Sequence, residues 1–253
     1  MSSTVDNPFV VFAVFLVAQW VAAYFGDLAR GLRRPARKDE REDLDVVQTA
    51  MLTLLGLVIG FSFSMAVTRY DLRKNYEEAE ANAIGTEYLR ADLLPTESVA
   101  QLRDLIRKWL DHRIAFYERP LERQIDQVDA TAERLQAQLW SAILPAAKAQ
   151  PTPLVALVVA GMNDMLNAQG HTQGAWWNRI PLAAWGLMGF IAIACNLLVG
   201  YNERRRGTLL LLVIPIIVSI SVLLIADIDS PRGGIIRVLP HNLISLSQSM
   251  REQ

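Results

Sequence analysis

Apolar positions in this chain are gathered into four long runs, with polar stretches between them. The runs are Pro8–Phe25, Val46–Thr68, Ile180–Tyr201 and Thr208–Ile228. None contains Lys, Arg or Glu, and Asp227 sits at the last edge. Each is long enough, as a helix, to cross a hydrocarbon core of about 30 Å. Trp20, Tyr24 and Phe25 close the first run, Trp176 and Trp177 precede the third, and Tyr201 ends it, where interfacial aromatics belong. The pattern predicts an all-α integral membrane protein of four transmembrane helices. Its predicted domains are a first hairpin over 1–68, a helical extramembrane region over 69–179, a second hairpin over 180–228 and a tail over 229–253. The first run is read as a retained span and not a signal peptide. Met1–Asn7 has no basic residue, and no small-residue cleavage site follows the run.

The second run predicts more than a span. Beyond Thr68 the chain turns charged, yet it carries no Pro before Pro95 and one Gly, Gly85. One helix is therefore expected to leave the lipid and continue into water, with Gly85 as its weakest joint, since glycine costs a helix interior about 1 kcal/mol. Glu77, Glu80 and Glu87 fall near one side of this extension, where a solvated face is expected. Arg73 and Glu77 are placed to pair at i,i+4.

Past the Pro95 break, Thr96 or Ser98 can cap a helix, and Ser98 with Gln101 fits a capping box. Leu102, Leu105, Ile106, Trp109 and Ile114 then form an apolar stripe at helical spacing. A second stripe, Leu121, Ile125, Val128, Ala132, Leu135, Leu139 and Ala142, alternates steps of four and three, as in a helical hairpin or a short coiled coil. Pro145, Pro151 and Pro153 read as a linker. Leu154–Met162 is too short for a fifth span and reads as a buried helix. Nothing alternates as a strand does.

Charge bears on sidedness. The loop 26–45 holds Arg30, Arg33, Arg34, Arg37, Lys38 and Arg41, and the loop 202–207 holds Arg204, Arg205 and Arg206. By the positive-inside rule both loops face the cytoplasm of a multi-pass cell (inner) membrane protein. The middle region and both termini are then expected outside. Arg69, Arg73, Lys74, Arg179, Arg232 and Arg237 pull the other way. A net charge of −1 leaves no nucleic-acid footprint.

Candidate chemistry is sparse. Thr49, Thr53, Gly56, Gly60, Ser64 and Thr68 share one face of the second run. The plainer reading is close helix packing by small residues in lipid. The sharper one is a pore lining, with Ile59, Phe63 and Val67 on a flank that either meets lipid or forms an apolar constriction. Asp227 and Asp229 at the end of the fourth run read as a polar terminus closed by the Pro231–Gly234 turn, with Arg232 or Arg237 as partner. The alternative is an acidic ring at a pore mouth. His112, His171 and His241 are scattered and Cys195 stands alone, so no metal, cofactor or disulfide is implied. There is no P-loop, nucleophile elbow or dinucleotide fingerprint, and an enzyme is not expected.

Several strings are distinctive. They are Leu54-Leu55-Gly56-Leu57-Val58-Ile59-Gly60-Phe61-Ser62-Phe63-Ser64-Met65-Ala66, Arg69-Tyr70-Asp71, Glu80-Ala81-Asn82-Ala83-Ile84-Gly85-Thr86 and Tyr88-Leu89-Arg90-Ala91-Asp92-Leu93-Leu94-Pro95. With Arg179-Ile180-Pro181 and Ile225-Ala226-Asp227-Ile228-Asp229 they resemble the bestrophin-like domain family of bacterial membrane proteins. Over most of the chain the order of elements is similar to that of bestrophins. Those are pentameric anion channels with four spans per subunit and a helical cytosolic part between spans two and three. The resemblance implies a homo-oligomeric, channel-like protein in the lipid bilayer, with anions as the permeant ions and the second span along the axis. Its sidedness is opposite to that of the charge count. A membrane-anchored scaffold or sensor, binding a partner or ligand through the middle region, is the competing expectation.

Overall fold

The computed structural model describes residues 7–32, 38–118, 125–202 and 210–252. The basic residues Arg33, Arg34, Arg37, Arg204, Arg205 and Arg206, and Leu121 at the head of the second stripe, lie outside them. The described residues form helices α1 (Pro8–Gly31), α2 (Lys38–Arg90), α3 (Thr96–Glu118), α4 (Ile125–Ala149), α5 (Pro153–Trp177), α6 (Leu182–Asn202), α7 (Leu210–Asp229) and α8 (His241–Arg251). A single 3-10 turn, Ala91–Leu93, follows α2. No strand occurs among the described residues, and four helical stretches are long and apolar enough to cross a membrane. The chain is all-α and membrane-spanning, as its hydrophobic pattern predicts. It divides into two compact units, 1–69 with 179–237, and 70–178 with 238–253.

In the first unit α1, α6, α7 and the membrane stretch of α2 share a core that includes Val11, Leu55, Ile191, Cys195, Val218 and Val222. The α1–α6 crossing is set by glycine. A Cβ on Gly26 would stand 2.1 Å from the Leu197 carbonyl oxygen, and one on Gly200 would stand 2.0 Å from that of Ala23. Each glycine lets the opposing backbone in, which is how helices gain dispersion energy where lipid removes any hydrophobic drive between them.

A polar clasp joins three helices at the same level of packing. Asn196 Nδ2 donates to Gln19 Oε1 at 3.0 Å, and Gln19 Nε2 donates to Ser219 Oγ at 3.0 Å. All three residues are fully buried. Their amides would be costly facing lipid, so these hydrogen bonds fix the rotation of α1, α6 and α7, with Asn196 Oδ1 the one amide atom of the clasp left without a partner among the described residues. Helix α1 is started by Asn7, whose Oδ1 accepts from Phe9 N at 3.0 Å, with Pro8 at the first helical position.

The second unit packs the outer part of α2 with α3, α4, α5 and α8 around Ile84, Tyr88, Ile106, Trp109, Leu139, Val158, Met162 and Leu243. The α4 stripe turns inward: Ala132 and Leu139 are buried, with Leu135 and Ala142 packed against them. Pro145 is not part of a linker. Helix α4 runs through it to Ala149. The missing hydrogen bond costs about 3 kcal/mol or more, but Ile143 and Ala146 on either side of the proline are buried and hold the last turns. Thr152 caps α5 through Val155 N at 3.3 Å, and the Leu154–Met162 run forms its first turns.

Gly85 is no joint either. Helix α2 continues through it, and a Cβ there would come within 3.0 Å of Leu246 Cδ1 on α8. The glycine makes room for α8. Of residues 229–253, set apart as a tail by the sequence pattern, 238–253 group with the second unit and 229–237 with the first.

Candidate functional site

The small-residue face of α2 is the first candidate. Leu55, Ser62 and Ala66 are the buried side of the membrane stretch, with Met51, Leu52, Val58 and Ile59 packed against the core. Ile59 is half-buried and packs in part against that core. Thr49, Thr53, Gly56, Gly60, Ser64 and Thr68 lie on another side and are exposed, as is Phe63 at 39%. A Cβ on Gly56 or Gly60 would meet nothing within 4 Å. This stripe does not pack the subunit's own helices; Gly26 and Gly200 have that role. Thr49, Thr53 and Thr68 satisfy their hydroxyls locally, donating to the carbonyls of Asp45, Thr49 and Ser64 at 2.8, 2.9 and 2.9 Å. A threonine that bonds its own helix can be exposed in a low-dielectric setting without an orphaned donor, and its remaining lone pairs stay available. Arg69 follows the stripe and donates to the Met65 carbonyl at 3.3 Å.

The acids at the end of α7 serve the backbone. Asp227 accepts from Ile235 N at 2.7 Å and Ile236 N at 2.8 Å, which closes the turn after the helix. Asp229 accepts from Ile180 N at 3.0 Å and lies 3.6 Å from Arg179. Both are buried, at 6% and 2% exposure. Both carboxylates thus hold backbone N–H groups within the subunit, the arrangement of a polar helix terminus closed by a turn. Arg232 is half-buried in the turn that Asp227 closes.

The second cluster lies wholly in the second unit and overturns the expectation of a solvated face. Arg73, Glu77, Glu80 and Glu87 are all at or below 1% exposure. Each of the first three meets a group that its charge suits. Arg73 donates to the carbonyls of Ala175 at 3.3 Å and Asn178 at 3.4 Å, placing a cation at the carboxyl end of α5. Glu77 accepts from the backbone N–H groups of Asn242 (3.0 Å) and Leu243 (3.1 Å) and from Asn242 Nδ2 at 2.6 Å. It caps α8 from outside, which is needed because Pro240 at the cap position offers no side-chain acceptor. Glu80 pairs with Arg113 of α3 and accepts from Thr172 Oγ1 at 3.0 Å and Tyr117 Oη at 3.4 Å. Burial, with the Glu80 charge beside it, pushes the Tyr117 hydroxyl far above the ordinary phenol range, so it stays a donor.

Spacing placed these α2 charges on one face. It did not say which way the face turns, because residues 70–90 are polar enough to be wetted. Gln19 and Asn196 were missed altogether. The available signal was their position as strong polar residues inside otherwise charge-free runs. Among the described residues no group of three or more His, Cys, Asp or Glu is placed to hold a metal.

The family model of the Bestrophin-like domain matches residues 10–243. The chain belongs to the bestrophin-like family. No curated protein matches it. Among solved structures it is similar to several point-mutant crystal structures of a bacterial bestrophin homologue from Klebsiella pneumoniae. One is 13% identical with a TM-score of 0.62, covering 100% of this chain and 97% of that one. Two others are 14% identical, with TM-scores of 0.61 and 0.60, each covering 95% of this chain and 96% of the other. At such identity the likeness is one of fold: the bestrophin-like order of spans and helices is preserved while the side chains differ.

Proposed function

We propose that this protein is a homo-oligomeric channel of the membrane in which the Thr49–Thr68 face of α2 lines the conducting path. The observation that carries the reading is that this face is uncovered in the subunit and made of glycines and small hydroxyl residues with no ionised group. In lipid alone it would be an odd surface; around an axis it leaves room for hydrated ions. Family membership supports the same reading over catalysis, and the absence of any carboxylate on the face favours anions over cations.

Purified protein in liposomes tests it. Chloride flux should exceed potassium flux. Gly60→Leu should cut the flux at least tenfold, equivalent to about 1.4 kcal/mol in barrier, while leaving oligomer size and melting unchanged, since the space at Gly60 is open. A monomeric protein, or a Gly60→Leu protein that conducts as before, counts against the pore assignment.

The scaffold reading loses its main surface, since the described part of the α4 stripe is packed inside the subunit. Sidedness is a separate question on which two indicators oppose each other. The basic loops predict that the second unit lies outside, whereas kinship to bestrophins predicts that it lies in the cytoplasm. A cysteine at Ser98, in a background where Cys195 is serine, decides between them. Labelling of intact cells by an impermeant maleimide is the outcome the loop charges predict. Labelling only after permeabilisation places the unit in the cytoplasm.

A further inference from the structure

Three of the four buried charges on α2 are accounted for by helix ends and an ion pair. Glu87 is not. Its carboxyl is fully buried, and neither oxygen has a hydrogen-bond partner among the described residues. It lies under α5 at Gly161. A Cβ on that glycine would stand 2.1 Å from Glu87 Oε2 and 2.4 Å from Arg90 Nη1. The glycine is thus what allows α2 and α5 to close over the carboxyl. The charged groups acting on it are Arg90, one turn on along α2, and Asp164 on α5. Arg90 is half-buried and Asp164 is exposed.

An ionised carboxylate in such a place, with no donor, costs far more than a neutral acid. Burial accordingly pushes the Glu87 carboxyl from 4.5 up to about 8, with Asp164 adding to the rise and Arg90 opposing it. We propose that Glu87 is a proton-operated latch between α2 and α5. With the proton on, the two helices close over a neutral carboxyl against Gly161. When the proton leaves to solvent, the carboxylate draws the Arg90 guanidinium towards it and the α2–α5 seam loosens. The sign follows from linkage. The folded state binds the proton more tightly than the unfolded chain, so stability is greatest below pH 4.5. It declines as pH rises towards about 8 and is level above that.

The test is the melting temperature of the full chain in nanodiscs between pH 5 and pH 9.5, with hydrogen exchange followed over residues 155–166; transport is not part of the readout. Wild-type protein should lose about 5 °C or more across this range relative to Glu87→Gln, and the protection of α5 amides, corrected for the intrinsic rise of exchange with pH, should fall over the same interval in wild type and not in Glu87→Gln. Arg90→Gln should move the midpoint to higher pH and Asp164→Asn, at an exposed site, to lower pH. A wild-type profile parallel to that of Glu87→Gln overturns the proposal. If Glu87→Gln does not fold, a midpoint that neither Arg90→Gln nor Asp164→Asn displaces overturns it equally.

Discussion

Gly200→Ala is expected to prevent the first unit from assembling in its native form. The added methyl group would fall 2.0 Å from the Ala23 carbonyl oxygen and 2.8 Å from its carbon. Ordinary contact begins near 3.4 Å, so α1 and α6 must move apart by more than 1 Å. No side chain can swing away to absorb this, because the obstacle is backbone. Overpacking a core costs about 1–3 kcal/mol when side chains yield, and a backbone clash lies at or beyond the top of that range. Separation of the helices would also stretch the Asn196–Gln19–Ser219 clasp, leaving buried amides short of partners. Gly26→Ala, facing the Leu197 carbonyl at 2.1 Å, should behave alike. Gly56→Ala supplies the control, since its site is open and alanine favours helix by about 1 kcal/mol. Folded yield and melting temperature in detergent check the set. A Gly200→Ala protein that melts with the wild type would show that α1 and α6 cross less tightly than described.

Arg113→Met is expected to be the most damaging single change in the second unit. It would leave the Glu80 carboxylate, fully buried, with two neutral hydroxyl donors and no cation. Removing one member of a buried ion pair costs about 3–5 kcal/mol, because the remaining charge is uncompensated. Arg113 also places its guanidinium carbon 4.5 Å from the centre of the Phe116 ring, a cation–π attraction that methionine cannot reproduce. At about 2–4 °C per kcal/mol for a protein of this size, the melting point should fall by roughly 6–20 °C. The double variant Arg113→Met with Glu80→Met should recover much of the stability, since neither charge then remains to be desolvated. If the double variant is no better than the single, the damage comes from poorer packing and not from a stranded charge.

These two sites mark different degrees of legibility in the sequence. The four spans and the long α2 were readable because lipid imposes one rule on every residue of a span: backbone groups bond internally and side chains are apolar. The helices of the middle region were readable from their period. The burial of Glu77, Glu80 and Arg113 was not, since a charge on an amphipathic helix looks the same whether it meets water or a partner from a distant segment. Arg113 and Thr172 are far from Glu80 in the chain and meet it through tertiary packing.

The small-residue stripe of α2 shows the same division. Its spacing announced a special face, but not whether another helix covered it. The structure gives close packing instead to Gly26 and Gly200, neither of which belongs to the α2 stripe. Likewise Gly85 and Pro145 carry strong local penalties, and packing by Leu246 in one case and by Ile143 and Ala146 in the other outweighs them.

By itself, then, the sequence determined the class of solvent, the number of helices able to span a membrane, the all-α composition and, through its distinctive strings, the family. Those properties depend on residues near one another in the chain or on each residue's preference for lipid or water. The tertiary structure alone decided which glycines touch backbone, which acids cap helices, where the α2 stripe is left uncovered and which carboxyl, Glu87, is buried without a hydrogen bond among the described residues. Those depend on which distant segments meet, and hydrophobic periodicity carries no information about the identity of the neighbour.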